Sequence, residues 1–379
     1  MAFLSILSLA AFAAPVLGET HYFFSGFFSG STIVGVEFDD ATDTLSLKQN
    51  ISTNASSGSK WIALDKRKQN LYVGTTGYFQ SYAVASNGSL EYKNQIALPS
   101  NCQNANFLRA ASASPYVVFG TPYSTGCSTQ AITVDESGTL QSTVANLTYS
   151  NSSGVHGIDL SPNNDFVYSA DDMGNAVWVH SFDATTGTAE EIQYLAAPTG
   201  ANPRHLAAHP NGQWVYVVYE ESNQLATYKR NNETGLLTDM NTTYPLIPET
   251  YTNTSSYWAD EAMFSLPTTT NSSTPSTSPK YLITGTRSRS TLSPGYISAF
   301  ALDASTGAIT SQLFLIPSSA SGGSANAVAP APFSEEYFAI TDSGANFVEM
   351  WKIDGSGVGA EKVARLGLGS GPANVVWID

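Results

Sequence analysis

An all-β fold is what this sequence predicts, and three observations carry the prediction. The chain has almost no helical periodicity. Short β-branched and aromatic runs alternate instead with clusters of Gly, Asn, Asp and Ser. Both the turn signals and the apolar runs recur seven times along the 379 residues. A repeat of about 45 to 50 residues is the length of one four-stranded propeller blade, so the predicted architecture is a seven-bladed β-propeller.

The turn series comprises Phe38-Asp39-Asp40-Ala41-Thr42-Asp43, Ser86-Asn87-Gly88, Asp135-Glu136-Ser137-Gly138, Asp183-Ala184-Thr185-Thr186-Gly187, Asn232-Glu233-Thr234-Gly235, Asp303-Ala304-Ser305-Thr306-Gly307 and Asp354-Gly355-Ser356-Gly357. Each reads as a hairpin turn in which Gly or Asn supplies a positive φ. One interval is longer because it contains residues 268–279, a polar low-complexity stretch expected to be a surface loop. The second series marks the inner strand of each blade: Trp61–Leu64, Phe107–Ala110, His156–Leu160, Arg204–Ala207, Ala262–Phe264, Ala327–Ala329 and Val375–Trp377. Most are followed by an apolar second strand, such as Leu71–Val73, Phe166–Tyr168 or Trp214–Val218. The last has no such successor, and its expected partner is His21–Phe24. One blade is then stitched from both ends of the chain, closing the ring without open edges. Residues 19–379 are expected to form this single domain.

Residues 1–18 precede it. Their apolar run (Phe3, Leu4, Ile6, Leu7, Leu9, Phe12) ends at Val16-Leu17-Gly18 and reads as a signal peptide, the alternative being a buried first strand. It is short for a transmembrane helix, and no later stretch approaches about 18 continuous apolar residues, so no membrane span is expected. A secreted protein is also suggested by Asn-X-Ser/Thr acceptors at Asn50, Asn54, Asn87, Asn146, Asn151, Asn232, Asn241, Asn253 and Asn271, most of them in expected turns. Cys102 and Cys127, the only cysteines, fit one disulfide of an oxidising compartment, with two buried thiols as the alternative.

A content of 42% hydrophobic and 12% charged residues supports a large core and excludes a disordered chain. With 31 acidic against 16 basic residues and a net charge of -15, the average surface repels nucleic acid and anionic membranes. A small anionic partner would need a local cluster of cations.

In a propeller the start of each inner strand and the end of the second strand share one face of the ring. Inner-strand starts supply His156, Arg204, Asp260, Glu261, Asn326 and Asn374; second-strand ends supply Asp171, Asp172, Glu220, Glu221, Arg287, Arg289 and Asp342. Arginines gathered at one rim suit recognition of carboxylate or phosphate. The plainer alternative is a set of groups that pair with one another to solvate a channel mouth. His205 and His209 are four residues apart, but on a strand and its turn that spacing does not bring two imidazoles to one metal, and no metal site is expected.

The run Asn202-Pro203-Arg204-His205-Leu206-Ala207-Ala208-His209-Pro210-Asn211-Gly212, followed by Tyr216 and Glu220, resembles the Pro-Arg-His, His-Pro-Asn-Gly and Tyr-Glu pattern of the seven-bladed lactonase family. That family includes 6-phosphogluconolactonases and fungal carboxy-cis,cis-muconate cyclases. Val155-His156-Gly157 and Gly285-Thr286-Arg287 extend the likeness. The resemblance implies a cyclase set at His156, Arg204, Glu220 and Arg287, working with no metal or cofactor. In it Arg204 and Arg287 bind substrate carboxylates, Glu220 is the acid or base at carbon, and His156 assists. Glu221 is expected to point away, since successive strand residues face opposite ways. The expected function is a secreted intramolecular lyase forming a lactone from an unsaturated polycarboxylate. The alternatives are a lactone hydrolase and a non-catalytic glycoprotein of the cell wall or cell surface.

Overall fold

The structure is a computed structural model that describes residues 18–54, 57–251, 253–267, 278–320 and 326–379. Apart from Gly18, the expected signal peptide lies outside the described residues, as do Asn271 and most of the expected loop at 268–279.

The described residues form seven four-stranded antiparallel sheets, six of them with strands in sequential order from the inside outward and one that begins with the last strand of the chain. Numbered along the sequence, their inner strands are Trp61–Leu64 (blade 1), Ala105–Ala110 (blade 2), Val155–Leu160 (blade 3), Pro203–Ala208 (blade 4), Tyr257–Phe264 (blade 5), Val328–Pro330 (blade 6) and Pro372–Trp377 (blade 7). Blade 7 draws its other strands from the beginning of the chain: Thr20–Phe27, Thr32–Asp39 and Thr44–Ser52. Phe23, Phe24 and Ser25 pair with Trp377, Val376 and Val375. The Asp379 side chain seals this seam, accepting a hydrogen bond from the Tyr22 N–H at 2.9 Å and meeting His21 Nδ1 at 2.9 Å. No described helix is long and apolar enough to cross a membrane.

The core lies between neighbouring blades. A second strand is covered on both faces, so every residue of Asn70–Thr75 is buried and the sequence reads as a continuous apolar run. Outer strands are covered on one face only, as in Thr188–Ala196, where exposed and half-buried positions intermix. Tyr216, Val218 and Leu225 of blade 4 pack against Ala262, Leu282 and Phe300 of blade 5, burying aromatic and branched side chains from both sheets.

All seven turns of the sequence series join the third and fourth strands of a blade. Six have a glycine at positive φ, from Gly88 (76°) to Gly357 (74°). The blade 7 turn differs from the expectation of Gly or Asn: Asp43 takes the left-handed conformation at φ 50°, which a short polar side chain tolerates.

A second irregularity positions the site. In blades 2 to 5 the register between first and second strands slips by one residue near the strand start, between Ala105 and Phe107, Val155 and Gly157, Pro203 and His205, and Ala259 and Glu261. The extra residue in each β-bulge is Asn106, His156, Arg204 or Asp260. A bulge frees one residue from the ladder and re-aims its side chain.

Candidate active site

The four bulges face one end of the central channel. A cavity of about 450 Å³ opens there, with Lys60, Asn104, Tyr123, His156, Arg204, Glu220, Trp258 and Arg287 among its walls. These side chains come from strand starts or strand ends in blades 1 to 5, as the antiparallel order of the first two strands requires.

At its floor two arginines meet two carboxylates. Arg204 donates from Nη1 to Asp260 Oδ1 and to the Asp260 carbonyl oxygen at 3.1 Å, and its Nε lies 3.3 Å from Glu220 Oε1. Arg287 donates from Nη2 to the same Glu220 oxygen at 2.7 Å and reaches Asp260 Oδ2 at 3.4 Å through Nη1. Asp260, with no exposed surface, also accepts from the Asn326 N–H at 2.6 Å. The buried Asp260 is therefore the central counter-charge that holds both guanidinium groups in place. Burial pushes the Glu220 carboxyl up to about 7, even though Arg204 and Arg287 pull it down. Protonated Glu220 is thus well populated near neutrality.

Trp258 forms one wall, with the Arg287 guanidinium 4.8 Å and that of Arg289 3.8 Å from its ring centre. Across the pocket, Lys60 donates to Asn104 Oδ1 while the Asn104 amide donates to the Tyr123 carbonyl at 2.9 Å. Among the described residues Lys60 has no carboxylate partner, and burial lowers its pKa. Tyr123 donates to Asp172, whose carboxyl burial raises. His156 sits edge-on to the Tyr123 ring, with centres 4.7 Å apart. Its Nδ1 lies 3.0 Å from His205 Nε2. Burial first, then the charge of Arg204, holds both imidazoles well below their ordinary pKa, so both are neutral.

The structure brings His156, Arg204, Glu220 and Arg287 to one pocket. Glu221 stands at the rim, accepting from Trp258 Nε1 at 2.8 Å and from Arg289 at 2.7 Å. The expectation that Glu221 points away is therefore corrected: both residues follow the strand Trp214–Tyr219 and lie in the turn beyond it, where strand alternation does not apply, and both line the same cavity. Other members of the expected ring are structural. Asp171 accepts from the N–H groups of Gly154 and Gly174 and from Trp178. Asp342 caps the Gly344 and Ala345 N–H groups, and Asn374 pairs with both backbone groups of Ile62. His205 and His209 contact different surroundings, as expected, but His205 belongs to the site through His156. His209 packs on Phe264, with ring centres 5.1 Å apart. Sequence reasoning assigned no role to Lys60, Asn104, Tyr123 or Trp258. Lys60 was within reach of the strand-start rule, since it immediately precedes Trp61.

Cys102 and Cys127 form a disulfide with Cα atoms 5.8 Å apart. It ties the segment leading to Asn104 to the loop after Tyr123. The eight glycan acceptors within the described residues are all exposed, and Asn50, Asn146 and Asn241 lie on outer strands rather than in turns.

The sequence family described as Lactonase, 7-bladed beta-propeller matches residues 22–312. The chain is 30% identical over 366 residues to the carboxy-cis,cis-muconate cyclase of Neurospora crassa, covering 92% of this chain and 96% of that protein. It is 29% identical over 236 residues to muconate cycloisomerase 1 of Cutaneotrichosporon cutaneum, covering 59% of each. Among solved structures, the periplasmic gluconolactonase of Pseudomonas aeruginosa superposes with a TM-score of 0.76 at 17% identity, covering 95% of this chain and 99% of that one. The match across residues 22–312 and the near full-length relative together place the chain: it belongs to the seven-bladed β-propeller lactonase family.

Proposed function

We propose that this protein is a secreted lactonising lyase that closes an unsaturated polycarboxylate of the carboxy-cis,cis-muconate type, using its own side chains and no cofactor. The observation that carries the reading is Glu220, a carboxyl raised to about 7 and set between two arginines in a pocket open to a small molecule. The near full-length relationship to a carboxy-cis,cis-muconate cyclase supports the substrate class.

The reaction needs one acid. A substrate carboxylate oxygen attacks the alkene carbon, forming the lactone C–O bond and breaking the π bond. The electron pair passes to the conjugated carboxylate as an enolate, and Glu220 delivers a proton to the adjacent carbon. One proton is taken up from solvent in each turnover as Glu220 is restored. The charge balance suits binding: while Glu220 is protonated, Asp260 is, among the described residues, the one anionic group shared by Arg204 and Arg287 at the pocket floor, so the floor carries net positive charge toward a substrate carboxylate. Lys60, across the cavity, supplies a second anchor. Secretion is supported by exposed Asn-X-Ser/Thr acceptors around the ring and by the disulfide at the rim.

The test is loss of diene absorbance from carboxy-cis,cis-muconate. Wild type is expected to turn it over, and Glu220→Gln to lower kcat by about 100-fold or more. Equal rates in the two proteins would remove Glu220 from the chemistry. A folded but inert wild type would favour a binding role instead, and ring opening of a supplied lactone without cyclisation would favour a hydrolase.

A further inference from the structure

Below the pocket, the channel contains an acid that the proposed chemistry does not use. Glu261 follows the Asp260 bulge on blade 5 and is buried. Its Oε2 accepts from the Val328 N–H of blade 6 at 3.2 Å, and its Oε1 lies 3.8 Å from His205 Nδ1. His205 packs against the Trp61 and Phe107 rings, with centres 5.1 and 5.2 Å away. Its Nε2 meets His156 Nδ1 at 3.0 Å, leaving His156 Nε2 for the pocket that this residue lines. Three groups thus form a line from the lower channel to the reacting space.

Two neutral imidazoles share a hydrogen bond only when one nitrogen carries the proton and the other does not, so the direction of the bond fixes the tautomer of both rings. What lies at the far end decides the direction. A carboxylic acid donates to His205 Nδ1, whereas a carboxylate accepts from it. Around Glu261 stand Asp260 on its own strand, Arg204 and His205 of blade 4, Arg109 of blade 2 and the Val328 N–H of blade 6; around the imidazoles stand Arg204, Arg287 and Tyr123. Burial, followed by the charge of Asp260, pushes Glu261 up to about 8, which favours the acid at neutral pH.

We propose that His205 and Glu261 are positioning residues that set the tautomer of His156: Glu261 donates to His205 Nδ1, His205 donates from Nε2 to His156 Nδ1, and His156 keeps its proton on Nε2, presented to the substrate carboxylate on which the enolate charge develops. The 3.8 Å gap closes by rotation of the carboxyl group, a soft torsion. Ionisation of Glu261 reverses both bonds and leaves His156 Nε2 as a bare acceptor in the pocket. Only the role of that Nε2–H toward substrate rests on the lactonising reading; the tautomer itself does not.

The test uses the full mature protein with 15N-labelled histidine and no substrate. At about pH 6, NMR is expected to show His156 and His205 both protonated on Nε2, and at about pH 9 both protonated on Nδ1. Glu261→Gln mimics the acid, accepting from Val328 while donating to His205, and is expected to hold the Nε2–H form at both pH values. Finding His156 protonated on Nδ1 at the lower pH, or the same alkaline change in Glu261→Gln, would overturn the proposal. A second variant, His205→Phe, keeps an aromatic ring against Trp61 and Phe107 and breaks the line. With carboxy-cis,cis-muconate it is expected to lose about tenfold in kcat at nearly unchanged KM, and a wild-type kcat would count equally against the proposal. If wild type itself fails to turn over that compound, the lactonising reading fails, and the histidine spectra still decide this one.

Discussion

Glu220 feels two opposed forces, and the balance has a consequence for stability as well as chemistry. Desolvation outweighs the pull of Arg204 and Arg287, so the folded chain holds this proton up to about 7, while the unfolded chain releases it near the ordinary value of 4.5. Between those values the folded state binds more protons than the unfolded one, so the contribution of this residue to stability falls as pH rises through the window. Glu220→Gln is therefore expected to melt at a higher temperature than wild type at about pH 8, a difference that disappears at about pH 4, while activity is lost. Thermal melts at the two pH values check it. Lys60 tests a different term. It is the pocket cation without a carboxylate partner among the described residues, so its charge is free to meet a substrate. Lys60→Met is expected to raise KM for a polycarboxylate by about tenfold with a smaller change in kcat, measured by steady-state kinetics at low ionic strength.

At the scale of the strand, the site depends on bulges and on one close approach. A Cβ on Gly157 would overlap the His205 ring and lie 2.8 Å from the Arg204 carbonyl oxygen, so the inner strands of blades 3 and 4 come together only because that residue has no side chain. Gly157→Ala is expected to cost about 1–3 kcal/mol and to push His205 off His156. A lower urea midpoint accompanied by a fall in kcat would show both effects. Elements of this kind mark the limit of what the sequence discloses. The turns and second strands were legible because their signals are local: positive-φ glycines at Gly88 or Gly307, and unbroken apolar runs such as Trp214–Val218. His156, Arg204 and Asp260 were legible as strand starts. Their status as extra residues in bulges was not, because a one-residue slip depends on the partner strand. The bridging role of Asp260 was hidden for the same reason: it joins arginines separated by 83 positions in the chain, Arg204 and Arg287. Lys60 and Tyr123 enter the pocket from just outside their strands, Lys60 immediately before Trp61–Leu64 and Tyr123 immediately after Val118–Pro122, where no short motif marks them.

Across the whole ring, the single seam at blade 7 carries the closure. The strand Pro372–Trp377 contributes buried Val375 and Trp377 to the same cluster as Phe23 and Phe38, and Asp379 pins Tyr22. A chain ending at Gly371 is expected to lose cooperative unfolding and to associate through the exposed edge of Thr20–Phe27, seen as high-mass species in size-exclusion chromatography. The charged pocket walls belong to blades 1 to 5, while Phe28, just beyond the seam strand Thr20–Phe27, adds an apolar wall, so the fastening borders the pocket on one side. Because Thr20 and Trp377 belong to neighbouring strands of one sheet, the two ends of the domain can be joined by a short peptide and the chain reopened at a distant hairpin, such as the one at Gly357. Such a circularly permuted protein would fold to the same ring with its fastening moved, leaving the old seam as an ordinary hairpin and the termini free to carry a fused partner well away from the pocket.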